Sequence, residues 1–155
     1  MRGAQVYHKA TYPGKYGYTV ILASGQPTLT CALPAEYLER LQLANMTFGD
    51  DIRLLGVTRE EEGLVMVTTQ PTIVGEACSA GEMISYFEAR RFCMIPGFSA
   101  GHRRSLSFYR DLDQMAVFDA HPANFLRDQN GVILPIDAVL LRADEELGKP
   151  LEVLL

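Results

Sequence analysis

Three polar residues in the last third of the chain have side chains suited to binding a metal ion and orienting a proton. Asp119, Asn124 and Asp137 are separated by steps of five and thirteen positions. Mg²⁺ prefers hard oxygen ligands such as carboxylates and carbonyls, and a carboxylate can orient an acceptor hydroxyl during phosphoryl transfer. An Asp at a strand end, an Asn in the next loop and a second Asp across a hairpin can therefore form one small cluster.

The same residues also have a purely structural interpretation, because Asp and Asn are frequent in turns, where their side chains bond to the backbone. Their surroundings favour the functional interpretation. Apolar residues flank them on both sides in the sequence: Val117, Phe118, Phe125, Leu126, Val132, Ile133, Leu134 and Ile136. We therefore expect a hydrophobic core to hold the polar groups in place.

The segments that must position this cluster alternate between strand and helix patterns, which indicates an α+β fold. Runs of β-branched and aromatic residues favour strands, and apolar residues at helical spacing favour helices. Strands are predicted over 5–11, 18–23, 52–58, 64–69, 115–118, 124–127 and 131–137, and helices over 35–44, over 79–92 and near Glu145. The stretch 105–113 favours neither.

Several of these segments have recognisable ends. The first two strands are predicted to form a hairpin across the Pro- and Gly-containing turn 13–17. Pro34 fits the first turn of a helix, and Ser79 with Glu82 has the spacing of a capping box. The sequence 128–131, Asp-Gln-Asn-Gly, predicts a hairpin turn. This last turn joins two of the strands that are predicted around the polar cluster.

Composition and charge argue against some classes of function. The chain has 155 residues, of which 48% are hydrophobic and 21% charged, which suits one domain with a packed core. Its net charge of -5 and pI near 5.2 argue against nucleic-acid binding. The pair Arg103 and Arg104 is interpreted as part of a solvated loop.

Membrane and secretory signals are missing from the sequence. No apolar run is long enough to span a bilayer, and the first residues have no signal-peptide core. The three cysteines, Cys31, Cys78 and Cys93, are widely spaced, which predicts reduced thiols and neither a disulfide framework nor a zinc knuckle. A cytoplasmic protein without a membrane partner is therefore expected.

Two segments carry a resemblance to a known family. Val-Phe-Asp-Ala-His-Pro-Ala-Asn-Phe-Leu at 117–126 and Gly-Val-Ile-Leu-Pro-Ile-Asp at 131–137 resemble the catalytic loop and metal-binding strand of the protein-kinase-like superfamily. They most resemble the small kinase-like domains in polyvalent proteins of phages and mobile elements. The resemblance implies ATP and Mg²⁺ as cofactors. By this resemblance, Asp119 would orient the acceptor, Asn124 would hold one metal ion, and Asp137 would bridge the metal ions to the phosphates.

The rest of the chain can be placed on the same family pattern. The segment ending in Lys9 resembles the strand that carries the phosphate-binding lysine, and Glu36 in the following helix would be its partner. The segment 64–71 resembles the last strand of a small lobe and the hinge, so backbone groups near Thr69 and Gln70 would meet the adenine. Lys9 on an edge strand and Glu36 on an exposed helix face remain the alternative interpretations.

The resemblance implies one domain over 1–155, with about 1–70 like a small lobe and about 71–155 like a reduced large lobe. This is a minimal or truncated kinase-like fold: an antiparallel small-lobe sheet with one helix, then a helix and the catalytic-loop hairpins. A small lobe without its first two strands has an open sheet edge. Pairing of that edge with another copy of the chain, or with a partner, is expected.

The chain departs from the family pattern in several places. Val117 and Phe118 stand where the pattern has His-Arg, and Asp137 is followed by Ala-Val instead of Phe-Gly. No glycine-rich loop precedes Lys9, and eighteen residues follow Asp137. Control by activation-loop phosphorylation is therefore not expected. The chain is interpreted as a phosphotransferase to a hydroxyl, either incomplete or minimal. A protein is the favoured substrate, and a small molecule is the other open choice. The alternative function is a noncatalytic, pseudokinase-like nucleotide-binding or interaction module of a larger polyvalent protein.

Two other enzyme classes fit less well. Asp119-x-His121 could begin a metallophosphoesterase site, but such sites need later histidines and none follows Asp137. The segments Ser24-Gly25 and Ser99-Ala-Gly101 do not have the nucleophile-elbow pattern of hydrolases. His121 is expected to shape the loop, and His8 and His102 have no evident partner in the sequence.

Overall fold

The computed structural model describes residues 6–155, which form twelve β-strands and three α-helices. The strands of the three larger sheets pair in antiparallel fashion, and the α+β class is confirmed. In chain order the elements are β1 (Val6–Thr11), β2 (Tyr18–Ala23), β3 (Gln26–Cys31), α1 (Pro34–Phe48), β4 (Arg53–Glu60), β5 (Gly63–Pro71), β6 (Glu76–Ala77), α2 (Ala80–Glu88), β7 (Cys93–Met94), β8 (Leu106–Arg110), β9 (Met115–Ala120), β10 (Phe125–Arg127), β11 (Ile133–Pro135), β12 (Val139–Arg142) and α3 (Glu145–Leu154).

The described chain forms two compact units. The first contains residues 6–18 and 31–72, and the second contains 19–30 and 73–155. The predicted division near residue 70 into a small-lobe-like and a large-lobe-like part stays a prediction. Within residues 6–155, no helix has the length and apolar character needed to cross a membrane. Cys31, Cys78 and Cys93 are all free.

The first unit is a three-stranded sheet with α1. Its strand order is β1-β5-β4, so β5 is central and β1 and β4 are the edges. The core of this unit contains Tyr16, Tyr37 and Met66, which are all almost fully buried. The hydroxyl groups of Tyr37 and Thr11 are hydrogen-bonded at 3.1 Å. Pairing of the β1 edge with another chain stays a prediction.

The predicted hairpin between the first two strands is wrong. β1 pairs with β5 over its whole length, and β2 pairs with β3, a strand that was not predicted. The reason lies in Ser24 and Gly25, which both have positive φ, at 51° and 76°. Positive φ at both central residues belongs to the two-residue turn whose twist suits adjacent antiparallel strands.

Helix α1 is longer than predicted, running over Pro34–Phe48 rather than 35–44. Glu36 caps its start, because the Glu36 Oε2 atom accepts a hydrogen bond of 2.6 Å from the Leu33 N–H. At its end, Gly49 has φ 74° and its N–H donates to the Asn45 carbonyl. Gly49 thus ends the helix in the left-handed conformation that glycine adopts most easily.

The carboxyl group of Asp50 lies between α1 and β4, where burial raises its pKa to about 6. The folded state therefore favours the protonated form, and stability falls as the pH rises from about 4 through 6. Asp50→Asn removes the ionisable group. We expect it to raise the free energy of unfolding by roughly 1–2 kcal/mol at pH 8, since partial exposure to solvent screens the effect, and to change it little at pH 4. Urea unfolding at the two pH values measures this difference.

Asp51→Asn provides the matched control for that experiment. A hydrogen bond from the Arg53 guanidinium lowers the pKa of the Asp51 carboxyl, so its charged form is the one that the folded state favours. The Asn variant should therefore lose stability at pH 8, in the opposite direction from Asp50→Asn. An equal gain for Asp50→Asn at both pH values would contradict a buried, ionised carboxylate.

The second unit contains the β2-β3 hairpin and two further sheets, with strand orders β12-β9-β8-β7 and β11-β10-β6. Aromatic rings fill part of its interior. The Phe87 ring stacks on Phe108 at 4.2 Å between centroids and contacts Phe92 and Phe125 edge-on. Phe118 on β9 is also fully buried. Strands β9 and β10 are therefore anchored by their apolar residues, as expected for the cluster's surroundings.

The local signals of the second unit are largely confirmed. Ser79 caps α2, and the Glu82 Oε2 atom accepts a hydrogen bond from the Ser79 N–H. The helix ends at Glu88 instead of about Phe92, because Arg91 adopts φ 63° and breaks the helical geometry. The ambiguous stretch 105–113 contains β8 and a short 3₁₀ turn. Strands β6, β7 and β12 were not predicted.

The predicted strand over 131–137 is shorter in the structure, because β11 covers only Ile133–Pro135. Asp128 forms the turn before it, accepting hydrogen bonds from the N–H groups of Asn130 and Val132. Val132 and Ile136 are exposed, contrary to the expectation that they belong to the core. Asp137 accordingly lies in an exposed bend after β11, outside the strand.

Candidate functional site

Asp119 lies at an irregularity of β9. Leu106 pairs with Ala120 whereas Phe108 pairs with Val117, so β9 has one residue more than β8 between these pairs. In this bulge Asp119 adopts φ 54°, in the left-handed region that residues other than glycine rarely occupy. A bulge bends a strand and changes the direction of a side chain. The local backbone therefore gives the Asp119 carboxylate an orientation that a regular strand would not.

The segment Ala100–His102 holds Asp119 in this position. The Asp119 N–H donates to the Ala100 carbonyl at 3.0 Å, and the His102 N–H donates to Asp119 Oδ1. Gly101, between them, packs against the carboxylate so closely that an added Cβ would lie 2.7 Å from the Asp119 Cβ atom. One carboxylate oxygen is thus occupied by the backbone, while Oδ2 has no hydrogen-bond partner in residues 6–155.

Asn124 connects the other two polar residues of the cluster. Its side-chain Nδ2 donates to the Asp119 carbonyl at 3.1 Å, which leaves the amide oxygen Oδ1 for another partner. Its backbone carbonyl accepts a hydrogen bond of 2.8 Å from the Ile136 N–H, and Asp137 follows directly. The structure therefore brings Asp119 and Asn124 into contact and places Asp137 next to a residue bonded to Asn124.

The oxygen atoms of this cluster suit Mg²⁺. Asn124 Oδ1 and the exposed Asp137 carboxylate are hard ligands, and neither makes a hydrogen bond or ion pair within the described chain. In residues 6–155, no group of three or more His, Cys, Asp or Glu side chains is arranged to hold a metal. This is compatible with Mg²⁺, which commonly binds through one or two protein side chains, substrate phosphates and water.

The N-terminal candidates lie in the first unit, on the sheet and on α1. Lys9 is exposed on β1 opposite Thr68, and the next two positions of β5, Thr69 and Gln70, are opposite His8 and Tyr7. Lys9, Thr69 and Gln70 thus lie on neighbouring strands. Their binding roles stay predictions.

The predicted ion pair between Lys9 and Glu36 is not formed in the described chain. The salt bridges of residues 6–155 do not include Lys9. Glu36 instead uses Oε2 to cap the start of α1 at the Leu33 N–H. The sequence permits both roles, because an acid in the first turn of a helix suits a capping box as well as a lysine partner.

Comparison with known protein families identifies the family to which this chain belongs. A family model described as a serine/threonine/tyrosine kinase found in polyvalent proteins matches residues 8–143. The chain belongs to this family. Comparison with curated proteins and with solved structures gives no match. The kinase-like resemblance seen at 117–137 is therefore confirmed, and the matched range contains every candidate site residue of the chain.

In this member of the family, the contributions of Gly101 and His102 were not predicted from the sequence. Ser99-Ala-Gly101 lacks the nucleophile-elbow pattern, and His102 has no evident partner in the sequence. In the structure its ring packs against that of His121 at 4.7 Å between centroids. No local sequence pattern predicts these contacts, because they depend on how residues 99–102 pack against β9. His102 and Asp119, for example, are seventeen positions apart in the sequence.

Proposed function

We propose that this kinase-like chain binds Mg·ATP and transfers the γ-phosphoryl group to a hydroxyl of a protein substrate. The observation that carries the proposal is the hydrogen bond from Asn124 Nδ2 to the Asp119 carbonyl. This bond joins the residue proposed to orient the acceptor to the residue proposed to bind the metal, and it leaves Asn124 Oδ1 free for a ligand. Membership of a serine/threonine/tyrosine kinase family supports a protein hydroxyl as the acceptor.

Asp119 acts on the acceptor in this proposal. Because Oδ1 accepts the His102 N–H, the second oxygen, Oδ2, receives the hydrogen bond of the substrate hydroxyl. The hydroxyl oxygen then forms a bond to the γ-phosphorus while the bond from that phosphorus to the β–γ bridging oxygen breaks, and the hydroxyl proton passes to Asp119. Positioning and charge stabilisation supply most of the catalysis in such transfers.

The remaining candidates would hold the nucleotide. Asn124 Oδ1 and the Asp137 carboxylate would bind Mg²⁺, which supplies neutralisation of the phosphate charge when bound. Lys9 would contribute a positive charge to the phosphates, and backbone groups near Thr69 and Gln70 would contact the adenine. These assignments follow the family pattern.

Nucleotide binding is tested most simply by thermal unfolding. A ligand that binds only the folded state stabilises it, by about 1.4 kcal/mol at ten times its Kd, so Mg·ATP should raise the Tm by a few degrees. In Asp137→Ala this shift should disappear. Asp111→Ala removes an exposed carboxylate outside the cluster and should keep the shift. Absence of any shift in the wild type at millimolar Mg·ATP would contradict the proposal.

A noncatalytic, pseudokinase-like module is the second candidate. The observation that favours it is that the described chain has no ion pair between Lys9 and Glu36. Such a module would show the Mg·ATP shift but no phosphoryl transfer. Incubation with γ-labelled ATP and a mixture of protein substrates separates the two: labelled protein supports the kinase, and its absence despite nucleotide binding supports the module.

A further inference from the structure

A short basic turn, residues His102–Ser105, lies directly against the acceptor-orienting carboxylate. The backbone N–H of its first residue donates to Asp119 Oδ1. Arg103 and Arg104 are the two central residues of this turn. Because consecutive Cα atoms are about 3.8 Å apart, the two arginines begin within two residues of the atom that contacts Asp119. The Cα atoms of both arginines therefore lie within about 8 Å of the His102 Cα atom.

The backbone of the basic turn is held in place at several points. The Ser105 N–H donates to the His102 carbonyl at 2.9 Å, which closes the turn. Ser105 Oγ donates to the Ala100 carbonyl at 3.2 Å, and Ser99 Oγ donates to the His102 carbonyl at 3.3 Å. The turn is thus an ordered part of the site, and the expectation that it is merely a solvated loop is incomplete.

The two arginines have no acidic partner within the described chain. Arg103 and Arg104 are exposed, and neither takes part in a salt bridge in residues 6–155. By contrast, Arg110 of the same unit pairs with Asp113 at 2.7 Å. In a chain of net charge -5, an unpaired basic turn beside the acceptor position is a distinct feature. It offers two guanidinium groups to a ligand.

We propose that the basic turn binds acidic side chains that flank the phosphorylated hydroxyl of a protein substrate. This inference rests on the proposed function, since it takes Asp119 Oδ2 as the atom that receives the substrate hydroxyl. Guanidinium groups bind carboxylates through paired hydrogen bonds, and charges act over about 8 Å at physiological salt. A carboxylate one to three residues from the hydroxyl therefore lies within reach of Arg103 or Arg104.

The test is peptide binding to the full ¹⁵N-labelled chain, followed by NMR. One peptide has a serine flanked by Asp and Glu, and the matched peptide has Asn and Gln in their place. We expect the acidic peptide to perturb the amides of 101–105 and to bind about three- to tenfold more tightly. Its advantage should shrink between 50 and 300 mM salt. Equal affinity for the two peptides would overturn the inference.

Two double variants with the same charge change identify the residues. Arg103→Glu with Arg104→Glu should remove the preference for the acidic peptide. Arg91→Glu with Arg142→Glu, at two other exposed positions of the second unit, should retain it. Amide spectra report whether each variant is folded. If both double variants lose the preference for the acidic peptide equally, the inference is wrong, because net charge alone would then explain the preference.

Mg·ATP binding by thermal unfolding, measured on the same samples, separates this inference from the proposed function. If Mg·ATP raises the Tm but the chain does not prefer the acidic peptide, the inference about the basic turn is wrong and the proposed function stands. Acidic preference without a nucleotide shift overturns the proposed function and leaves an acidic-peptide site. If the Arg103→Glu, Arg104→Glu variant instead loses Mg·ATP binding and keeps peptide binding, the basic turn serves the nucleotide phosphates and the inference is wrong.

Discussion

Asp119→Asn is expected to lower the rate of γ-phosphoryl transfer by about 10²- to 10⁴-fold, the usual contribution of a positioned general base. The Asn side chain can keep the hydrogen bond from the His102 N–H and tolerates the left-handed φ of 54°. It lacks the negative charge that is proposed to orient the acceptor and take its proton. The variant therefore isolates the chemistry from the fold.

The measurement is the transfer of labelled γ-phosphate to protein, compared with Mg·ATP binding by the same variant. Binding should stay within about twofold, because Asp119 is proposed to contact the acceptor and not the nucleotide. Asp113→Asn is a control in the same unit, since its carboxylate pairs with Arg110 and not with the cluster. A transfer rate for Asp119→Asn equal to that of the wild type would show that Asp119 does not orient the acceptor.

Gly101→Ala is expected to reduce kcat by about 10²-fold, the loss that a displacement of about 1 Å can cause. The added methyl group would overlap the Asp119 side chain, and the backbone of Gly101 has φ 109°. To remove this overlap, the Asp119 carboxylate or the basic turn must move away. The KM for ATP should change little, because the proposed metal ligands, Asn124 Oδ1 and the Asp137 carboxylate, belong to a different part of the cluster.

Gly97→Ala is the matched control for this variant. Gly97 also has positive φ, at 68°, but an added Cβ there would meet no atom within 4 Å. Both substitutions introduce backbone strain, and only one reaches Asp119. Steady-state kinetics at saturating ATP compares them. If the two variants lose the same fraction of kcat, backbone strain is responsible, and the packing of Gly101 against the carboxylate has no role in catalysis.

The local parts of the site could be predicted from the sequence. The spacing of Asp119, Asn124 and Asp137 was sufficient to place them on one loop and the hairpin after it. Ser79 and Asp128 were recognised as a cap and a turn because each bonds to backbone groups only two to four positions away. Signals of this range depend on residue type and spacing alone.

The contacts between distant segments could not be predicted in the same way. The partner of β1 is β5, in which Thr68 pairs with Lys9 across fifty-nine positions of sequence, and no residue of β1 encodes that choice. The contact of Gly101 with Asp119 likewise depends on the β9 bulge. A short apolar strand can pair with several others, and the choice is made by the whole core.

The most direct test of the central claim is the location of the metal in the nucleotide complex. Mn²⁺ takes the same oxygen ligands as Mg²⁺ and broadens the NMR signals of nearby groups. With Mn·ATP in place of Mg·ATP, the side-chain amide of Asn124 and the backbone amide of Asp137 should broaden strongly, and Asp137→Ala should abolish the effect. Sharp signals from both groups at saturating Mn·ATP would contradict a metal–nucleotide site at this cluster.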